Sequence, residues 1–332
     1  MSEPQAPANA ITAAAAAPWS GLLAVDKPTG VTSHDVVEKV RRRLKAKGAG
    51  HLGTLDPGAS GLLLLALGAA TRCIPVWQGG EKTYEGTLEL GVITSTQDLQ
   101  GEVLERRPVT VSEAAVREAA LAFVGETEQI PPMVSALRSR GRRLYELMRR
   151  GEEVERAPRK VRVTEWTWLE FALPLARFRV RCSGGTYVRT LAHDLGQRLG
   201  TGAALQALRR LRSEPFGIER AVALSEIGVG ERDALLARAG IPLDEALGSL
   251  PALRLSAADA VVLGHGGRPT LARGDAVAAG VPIDAGPRSV VLRALTGEAL
   301  ALGEVAADPE DPARVRICPH VVLPWAVKQG RW

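Results

Sequence analysis

Residues 50–68 read GHLGTLDPGASGLLLLALG. One carboxylate, Asp56, stands among the closely spaced glycines Gly50, Gly53, Gly58 and Gly61, and an unbroken apolar run from Leu62 to Leu67 follows. Asp-Pro-Gly is a preferred β-turn sequence, with Asp at the first position and proline fixing the second, so a turn-forming aspartate is the ordinary reading. The glycines support another. A loop stripped of side chains lets a ligand approach the backbone closely, and His51 adds a polar aromatic ring beside it. The apolar run is then the rigid buried element on which the loop is mounted. Both readings of Asp56 stay open on these residues alone.

Outward from this stretch the chain alternates strands and helices without a regular βαβ rhythm. GLLAVDK (21–27) reads as a short apolar strand. A helix capped by Thr32 or Ser33 follows, with Val36, Val37, Val40 and Leu44 at helical spacing and an end at Gly48. Alternation across 82–98 predicts strand pairing around a turn near Gly91. The spacing of Thr110 and Glu113 resembles a capping box and predicts a helix that stops at Gly125. Strands are predicted at 161–171 and 177–183, then helices near 187–199 and 203–212. Irregular interleaving of this kind indicates an α+β domain built on a mixed sheet.

After about residue 248 the texture changes to short β-like pieces, with Thr296-Gly297 suited to a hairpin turn, as in a small β-barrel or sandwich. A length of 332 residues suits two domains. The division expected is a flexible tail over 1–19, a main domain over 20–248 carrying a basic segment at 130–162, and a small domain over 249–326.

Composition excludes several classes. The longest apolar run is far too short to span a bilayer, so no membrane association is expected. The first twenty residues hold no Lys or Arg and resemble neither a secretory signal nor a transit peptide. Three widely separated cysteines, Cys73, Cys182 and Cys318, suggest neither a disulfide framework nor a zinc site, which fits a cytoplasmic setting. The five histidines show no metal-ligand spacing, and the chain has no phosphate-binding GxxxxGK[ST], no GxSxG and no HExxH.

Charge is concentrated rather than spread. Between Arg138 and Arg162 stand ten Lys or Arg against four Glu, a surplus of six, whereas the whole chain carries only +5. The remainder is therefore slightly negative. A surplus confined to one segment is an electrostatic footprint for a polyanion, although a solvated amphipathic helix is the plainer alternative. A second cluster is 183-SGGTYVRTLAHDLG-196, where Arg189 falls in the first turns of a helix. Most arginines are surface residues, but a buried one needs a carboxylate and would hold that carboxylate ionised. Tyr84, one of three tyrosines, lies in the alternating segment and is read first as a sheet-face residue.

Six stretches in order, 25-VDKPTGVTSHDVV-37, 50-GHLGTLDPGASGLL-63, 82-KTYEG-86, 130-IPPMVSALRSRGRRLYELMRRGEEVER-156, 183-SGGTYVRTLAHDLG-196 and 208-LRRLR-212, resemble the TruB pseudouridine synthases, which modify the T-loop of transfer RNA. The resemblance runs from about Leu22 to Phe216, and more loosely the end of the chain resembles that family's small PUA-like RNA-binding barrel. It implies a pseudouridine synthase fold with a largely antiparallel mixed sheet. It also implies isomerisation of tRNA uridine 55 on the T-arm by base flipping and N1-to-C5 rearrangement, with no cofactor and no metal.

By the same resemblance Asp56 is the essential carboxylate, Arg189 its ion-pair partner, and Tyr84 stacks on the base and moves a proton at C5. Leu208 lines the uracil pocket, His51 holds the opened loop, and Lys27 belongs to a sheet motif beside the site. Tyr187 and the arginines Arg138, Arg140, Arg142 and Arg143 complete the substrate-binding residues. A monomer without an obligatory protein partner is expected. An RNA-binding module with a structural Asp56 is the reading from a different class; a hydrolase would want a second paired carboxylate, and none is evident near Asp56.

Overall fold

The computed structural model describes residues 19–135, 138–139, 142–143, 154–281, 283 and 288–329. Positions 1–18 of the expected tail, together with Arg140, Tyr145 and Met148, lie outside them. Two sheets organise the described chain. The larger has eleven strands, in the order 222–223, 21–27, 59–67, 203–213, 82–90, 175–182, 159–172 and 125–129, with three short strands attached at the side. Most of its pairings are antiparallel. The pairs 59–67 with 203–213 and 21–27 with 222–223 are parallel, so the sheet is mixed.

The apolar run of the opening stretch becomes the strand Ala59–Leu67, buried at eight of its nine positions. Because side chains alternate across a strand, its two faces enter two different cores. Leu63, Leu65 and Leu67 pack with Val36, Val37 and Val40 of the helix Ser33–Arg43. Leu62, Leu64 and Ala66 pack with Trp77, Ile241 and Leu247, and with Val291, Leu302 and Leu323 from the end of the chain. A strand covered on both faces reads as a continuous apolar run rather than an alternating one. The strand Lys82–Leu90, half covered on one face, keeps a strict buried and half-buried alternation.

The smaller sheet orders its strands 252–254, 288–293, 299–307, 314–322 and 270–272. Gly297, at φ +96°, lies between the paired strands 288–293 and 299–307, where the hairpin turn was expected. This sheet has a core of its own and also shares the second core of the large sheet, so the two pack through hydrocarbon. Among the described residues no helix is long and apolar enough to cross a membrane.

Several expectations require correction. The segment 203–213 is a strand, not a helix: it lies between 59–67 and 82–90 and is hydrogen-bonded to both. Its sequence, AALQALRRLRS, is rich in helix formers, and the two unsatisfied strand edges flanking it override that preference. The strands on either side of Gly91 do not pair with each other; 92–94 turns away to pair with 103–106. The helix at 113–121 is capped by Ser112, whose hydroxyl accepts from Ala115 N, and Thr110 takes no part in the cap. The first helix ends at Arg43, with Lys45 at φ +50°, well before Gly48. Its start is as expected, with Thr32 and Asp35 forming a reciprocal capping box.

One glycine governs the junction of the two parallel strands. Gly61 sits at φ +98°, opposite Arg210, and a Cβ there would collide with the Arg210 backbone. Gly61→Ala is expected to lower the urea midpoint of unfolding, with a loss of about 1–3 kcal/mol from backbone strain alone. Circular dichroism reads the transition; an unchanged midpoint would show that the strands separate without loss.

Candidate active site

Asp56 follows the short strand 49–51 in a loop tied down on both sides. Ala59 N donates to Asp56 O at 3.0 Å, which closes the Asp-Pro-Gly turn, so the turn is present whatever the carboxylate does. Ser33 Oγ, at the start of the first helix, donates to Leu55 O and accepts from Leu55 N, both at 2.9 Å. Lys27 Nζ, fully buried beneath the loop, donates to Val31 O at 2.7 Å, Pro28 O at 3.0 Å and Pro57 O at 3.4 Å. Burial pushes the Lys27 amine down to about 8, while the Asp56 charge works in the other direction. The loop therefore rests on a cation whose hydrogen bonds go to backbone carbonyls.

The turn delivers the Asp56 carboxylate into a cavity of about 540 Å³. Arg189 reaches it from the helix Val188–Arg198, Nε to Oδ2 at 3.2 Å, although the Nε–H is not well aimed and the contact is charge pairing rather than a directed hydrogen bond. Arg189 is held independently of Asp56: its guanidinium donates to Thr96 O at 3.3 Å and to Val134 O. Gln129 fixes the start of the helix, accepting from Tyr187 N at 2.8 Å and donating to Tyr187 O at 3.1 Å. The Tyr187 ring lies 5.6 Å from the Arg189 guanidinium carbon. Tyr84, Leu208, Tyr187 and Ser135 complete the wall around the pair.

The partners differ in exposure. The Arg189 side chain is 3% exposed and that of Asp56 45%, its free surface open to the cavity it lines. Burial nevertheless dominates its titration. It pushes the Asp56 carboxyl up, Arg189 pulls it down, Asp98 pushes it up and Lys27 pulls it down, in that order of size, with a raised net value.

The cavity thus brings together Asp56, Tyr84, Arg189, Tyr187 and Leu208. His51 is not among its lining residues; it pairs opposite Leu65 in the short strand behind the loop. Lys27 supports the loop from below. Of the four arginines expected to bind substrate, Arg138 lies in the strand 138–139 and Arg142 and Arg143 form the strand 142–143 paired with it, and Arg140 lies outside the described residues.

Sequence reasoning missed three charged residues at the site, Lys82, Arg210 and Asp98. Arg210 is 3% exposed in the cavity wall. Assigning 203–212 to a helix hid the alternation that sends Arg209 to an ion pair with Asp26 at 2.6 Å and Arg210 inward. Asp98 stands behind Asp56, its carboxylate accepting from Thr96 Oγ1 and Gln100 N. No local pattern announces its proximity; Gln97 at φ +66°, just before it, is visible only in three dimensions.

Comparisons with known proteins show the family to which the chain belongs. Residues 41–188 match the TruB family pseudouridylate synthase N-terminal domain, and residues 189–248 match the tRNA pseudouridylate synthase B C-terminal domain. A tRNA pseudouridine synthase B of Burkholderia mallei is 48% identical over 251 residues, covering 75% of this chain and 82% of the relative. One from Geobacter sulfurreducens is 45% identical over 275 residues, covering 82% and 90%. Among solved structures, the Cbf5 chain of a Cbf5-Nop10-Gar1 complex superposes with a TM-score of 0.65 at 26% identity, covering 91% of this chain and 83% of that one. By class the protein is a pseudouridine synthase, an isomerase. Within that class, the chain belongs to the TruB family.

A sign follows for the ion pair. A carboxyl whose folded value is raised contributes most to stability while protonated, and that contribution is lost as pH rises through the raised value. Ionised Asp56 is therefore held against the fold, and Arg189 is the main force in its favour. In Arg189→Gln the Asp56 carboxyl is expected to titrate at higher pH than in the parent protein, followed by its carboxyl ¹³C shift. An unchanged or lower value would contradict the pairing.

Proposed function

We propose that this protein converts uridine 55 in the T-loop of tRNA to pseudouridine. The observation that carries the reading is the Asp56–Arg189 pair at 3.2 Å in a cavity walled by Tyr84 and Leu208. It is supported by relatives at 45–48% identity that bear the name tRNA pseudouridine synthase B. Isomerisation breaks N1–C1′, turns the uracil and joins C5 to C1′, so that C5 loses its proton and N1 gains one. The reaction is atom-neutral.

The residues suit the steps. The target nucleotide leaves its stack at a cost of a few kcal/mol, which a concave, partly aromatic pocket offsets by stacking and exclusion of water. Asp56 then acts as an ionised carboxylate, whether it attacks the sugar, attacks the base or removes a sugar proton. Each route needs charge on Asp56, and Arg189 favours it. Tyr84 stacks on the base and moves the C5 proton, and Leu208 packs against the uracil. Tyr187 lines the same pocket, His51 steadies the opened loop, and Lys27 supports the turn from beneath.

The arginines at 138, 140, 142 and 143 hold the phosphate backbone of the T-arm. The small sheet, in a domain spanning 249–326 beside a catalytic domain of 20–248, acts as a PUA-like RNA-binding module. The enzyme works as a cytoplasmic monomer with no obligatory protein partner. The structural likeness to a Cbf5 chain solved together with Nop10 and Gar1 makes activity of the purified chain alone the discriminating point.

The purified protein incubated with a tRNA transcript carrying tritium at uracil C5 is expected to release tritium, from position 55 only. Asp56→Asn should release none above the protein-free level. Undiminished release by that variant, or binding without release by the parent chain, would sink the assignment and leave an RNA-binding module. Replacing Arg138, Arg140, Arg142 and Arg143 together should weaken tRNA binding and flatten its dependence on log salt by about 0.7–0.9 for each phosphate that is no longer neutralised. An unchanged slope would remove this segment from the interface.

A further inference from the structure

Arg210 has no place in the steps above, yet it is one of the most enclosed charges in the molecule. It lies on the strand 203–213, directly opposite Tyr84 across the pairing with 82–90, and both residues face the cavity. Its guanidinium is anchored on three backbone carbonyls. Nε donates to Leu62 O at 2.7 Å, one terminal nitrogen to Gly53 O at 3.1 Å and the other to Thr54 O at 3.4 Å. These acceptors belong to the buried strand that follows Asp56 and to the loop that precedes it. None of them is charged, and among the described residues no carboxylate pairs with this cation in the wall of the site.

The guanidinium keeps N–H groups beyond those three bonds, on the face of the sheet that it shares with its cross-strand neighbour Tyr84. A phenolic oxygen that accepts from a guanidinium keeps its own hydrogen for another direction, and the open direction here is the cavity. The groups acting on this phenol come from each element packed around it: Arg210 on one neighbouring strand, Cys182 on the other, and Asp56 on the loop. Burial, Cys182 and Asp56 all disfavour a phenolate, and among the described residues Arg210 alone favours it. Arginine does so at every accessible pH, because it does not deprotonate.

We infer that Arg210 is the positioning residue for Tyr84: its guanidinium, braced on Gly53, Thr54 and Leu62, fixes the phenol and turns its single hydrogen toward the base. The inference rests on the reading of the cavity as the uracil site, and deepens it. A phenol that takes up the C5 proton has first to give up its own, here to the N1 freed when N1–C1′ breaks, so that the tyrosine ends as it began, and a neighbouring cation eases that loss. The same brace sets Tyr84 and the Asp56 loop relative to one another, since both are tied to one side chain.

The test separates the brace from the reaction. The chain has three tyrosines, Tyr84, Tyr145 and Tyr187, so uniform labelling with a fluorinated tyrosine that ionises at lower pH gives three ¹⁹F resonances. Tyr84→Phe identifies the one at issue. In the free protein, with no RNA present, Arg210→Gln is expected to move the Tyr84 titration to higher pH, and Arg210→Lys to leave it between the two. A Tyr84 titration unmoved by either variant overturns the inference, whatever the substrate proves to be.

Single-turnover measurements at saturating tRNA supply the second reading. Arg210→Gln should slow the reaction by about tenfold or more, the scale of a mispositioned proton-transfer group. In a Tyr84→Phe background the same change should matter by less than about twofold, because residues acting through one group are not additive. Full additivity would assign Arg210 a role independent of Tyr84. If Arg210→Gln does not fold, Arg210→Lys is read by the same shift and the same cycle. A moved Tyr84 titration without any turnover by the parent protein would preserve the brace and refute the proposed reaction instead.

Discussion

Between Ala59 and Leu67 the backbone is paired on both edges and hydrocarbon covers both faces, and the site inherits its geometry from that double burial. Five leucines enter the interior from this one strand, at about 2 kcal/mol of transfer free energy each. The gross contribution, about 10 kcal/mol, is as large as the net stability of a typical domain. A shift by one residue would exchange the two faces and mismatch both cores, so the register is fixed. The turn that begins at Asp56 ends on the first residue of this strand. Its carboxylate is therefore aimed by the best-buried element in the molecule, and Gly61, two residues on, lets the partner strand bring Arg210 and Leu208 alongside.

Burial and a neighbouring like charge work against the ionised Asp56 that the proposed chemistry needs, and Arg189 is the main force that works for it. A carboxylate taken out of water prefers a proton, and the nearby charge of Asp98 strengthens that preference. Arg189 reverses part of the effect. Because Asp56 keeps almost half its side-chain surface, the pair contributes less than the roughly 3–5 kcal/mol at stake when one partner of a fully buried pair is removed. Arg189 does not depend on Asp56 for its place, since the carbonyls of Thr96 and Val134 hold it from two other segments. The cation is set in advance, and the carboxylate is brought to it by the turn.

Much of this was legible in the sequence where local chemistry and tertiary context agree. Thr32 and Asp35 cap a helix by their own side chains, and a Leu run bounded by glycines is buried wherever it falls. The helix at 188–198 and the hairpin at Gly297 carry their signals in a few adjacent residues. Segment 203–213 misled because its composition favours a helix, while the two strands awaiting a partner lie more than a hundred residues away in sequence. That error concealed Arg210, whose inward direction follows from strand alternation. Asp56 and Arg189 stand 133 positions apart, and no periodicity links them. The resemblance to a known family joined them before any geometry did, and it carried Leu208 over without the arginine two residues further on.

The charges around the cavity explain one more property. Its described lining holds three cations, Lys82, Arg189 and Arg210, and a single carboxylate, Asp56. Lys82 donates to Gln78 O and Gly80 O, and burial is the largest of the effects that push its amine down to about 8. Arg210 is likewise satisfied by carbonyls. Carbonyl acceptors meet the hydrogen-bonding needs of these groups without cancelling their charge, so the enclosed wall keeps a positive potential. On the proposed function, breaking N1–C1′ leaves electron density on the uracil by any route open to Asp56, and a preorganised positive wall would stabilise that density without reorganising. The same potential gives a reason, on the proposed function, for seeking the phosphate contacts in a separate segment of the chain. A site that holds a neutral base until the bond breaks would gain nothing from gripping a phosphate in the pocket, whereas a basic segment elsewhere in the sequence would draw in a polyanion and leave the interior field for the reaction.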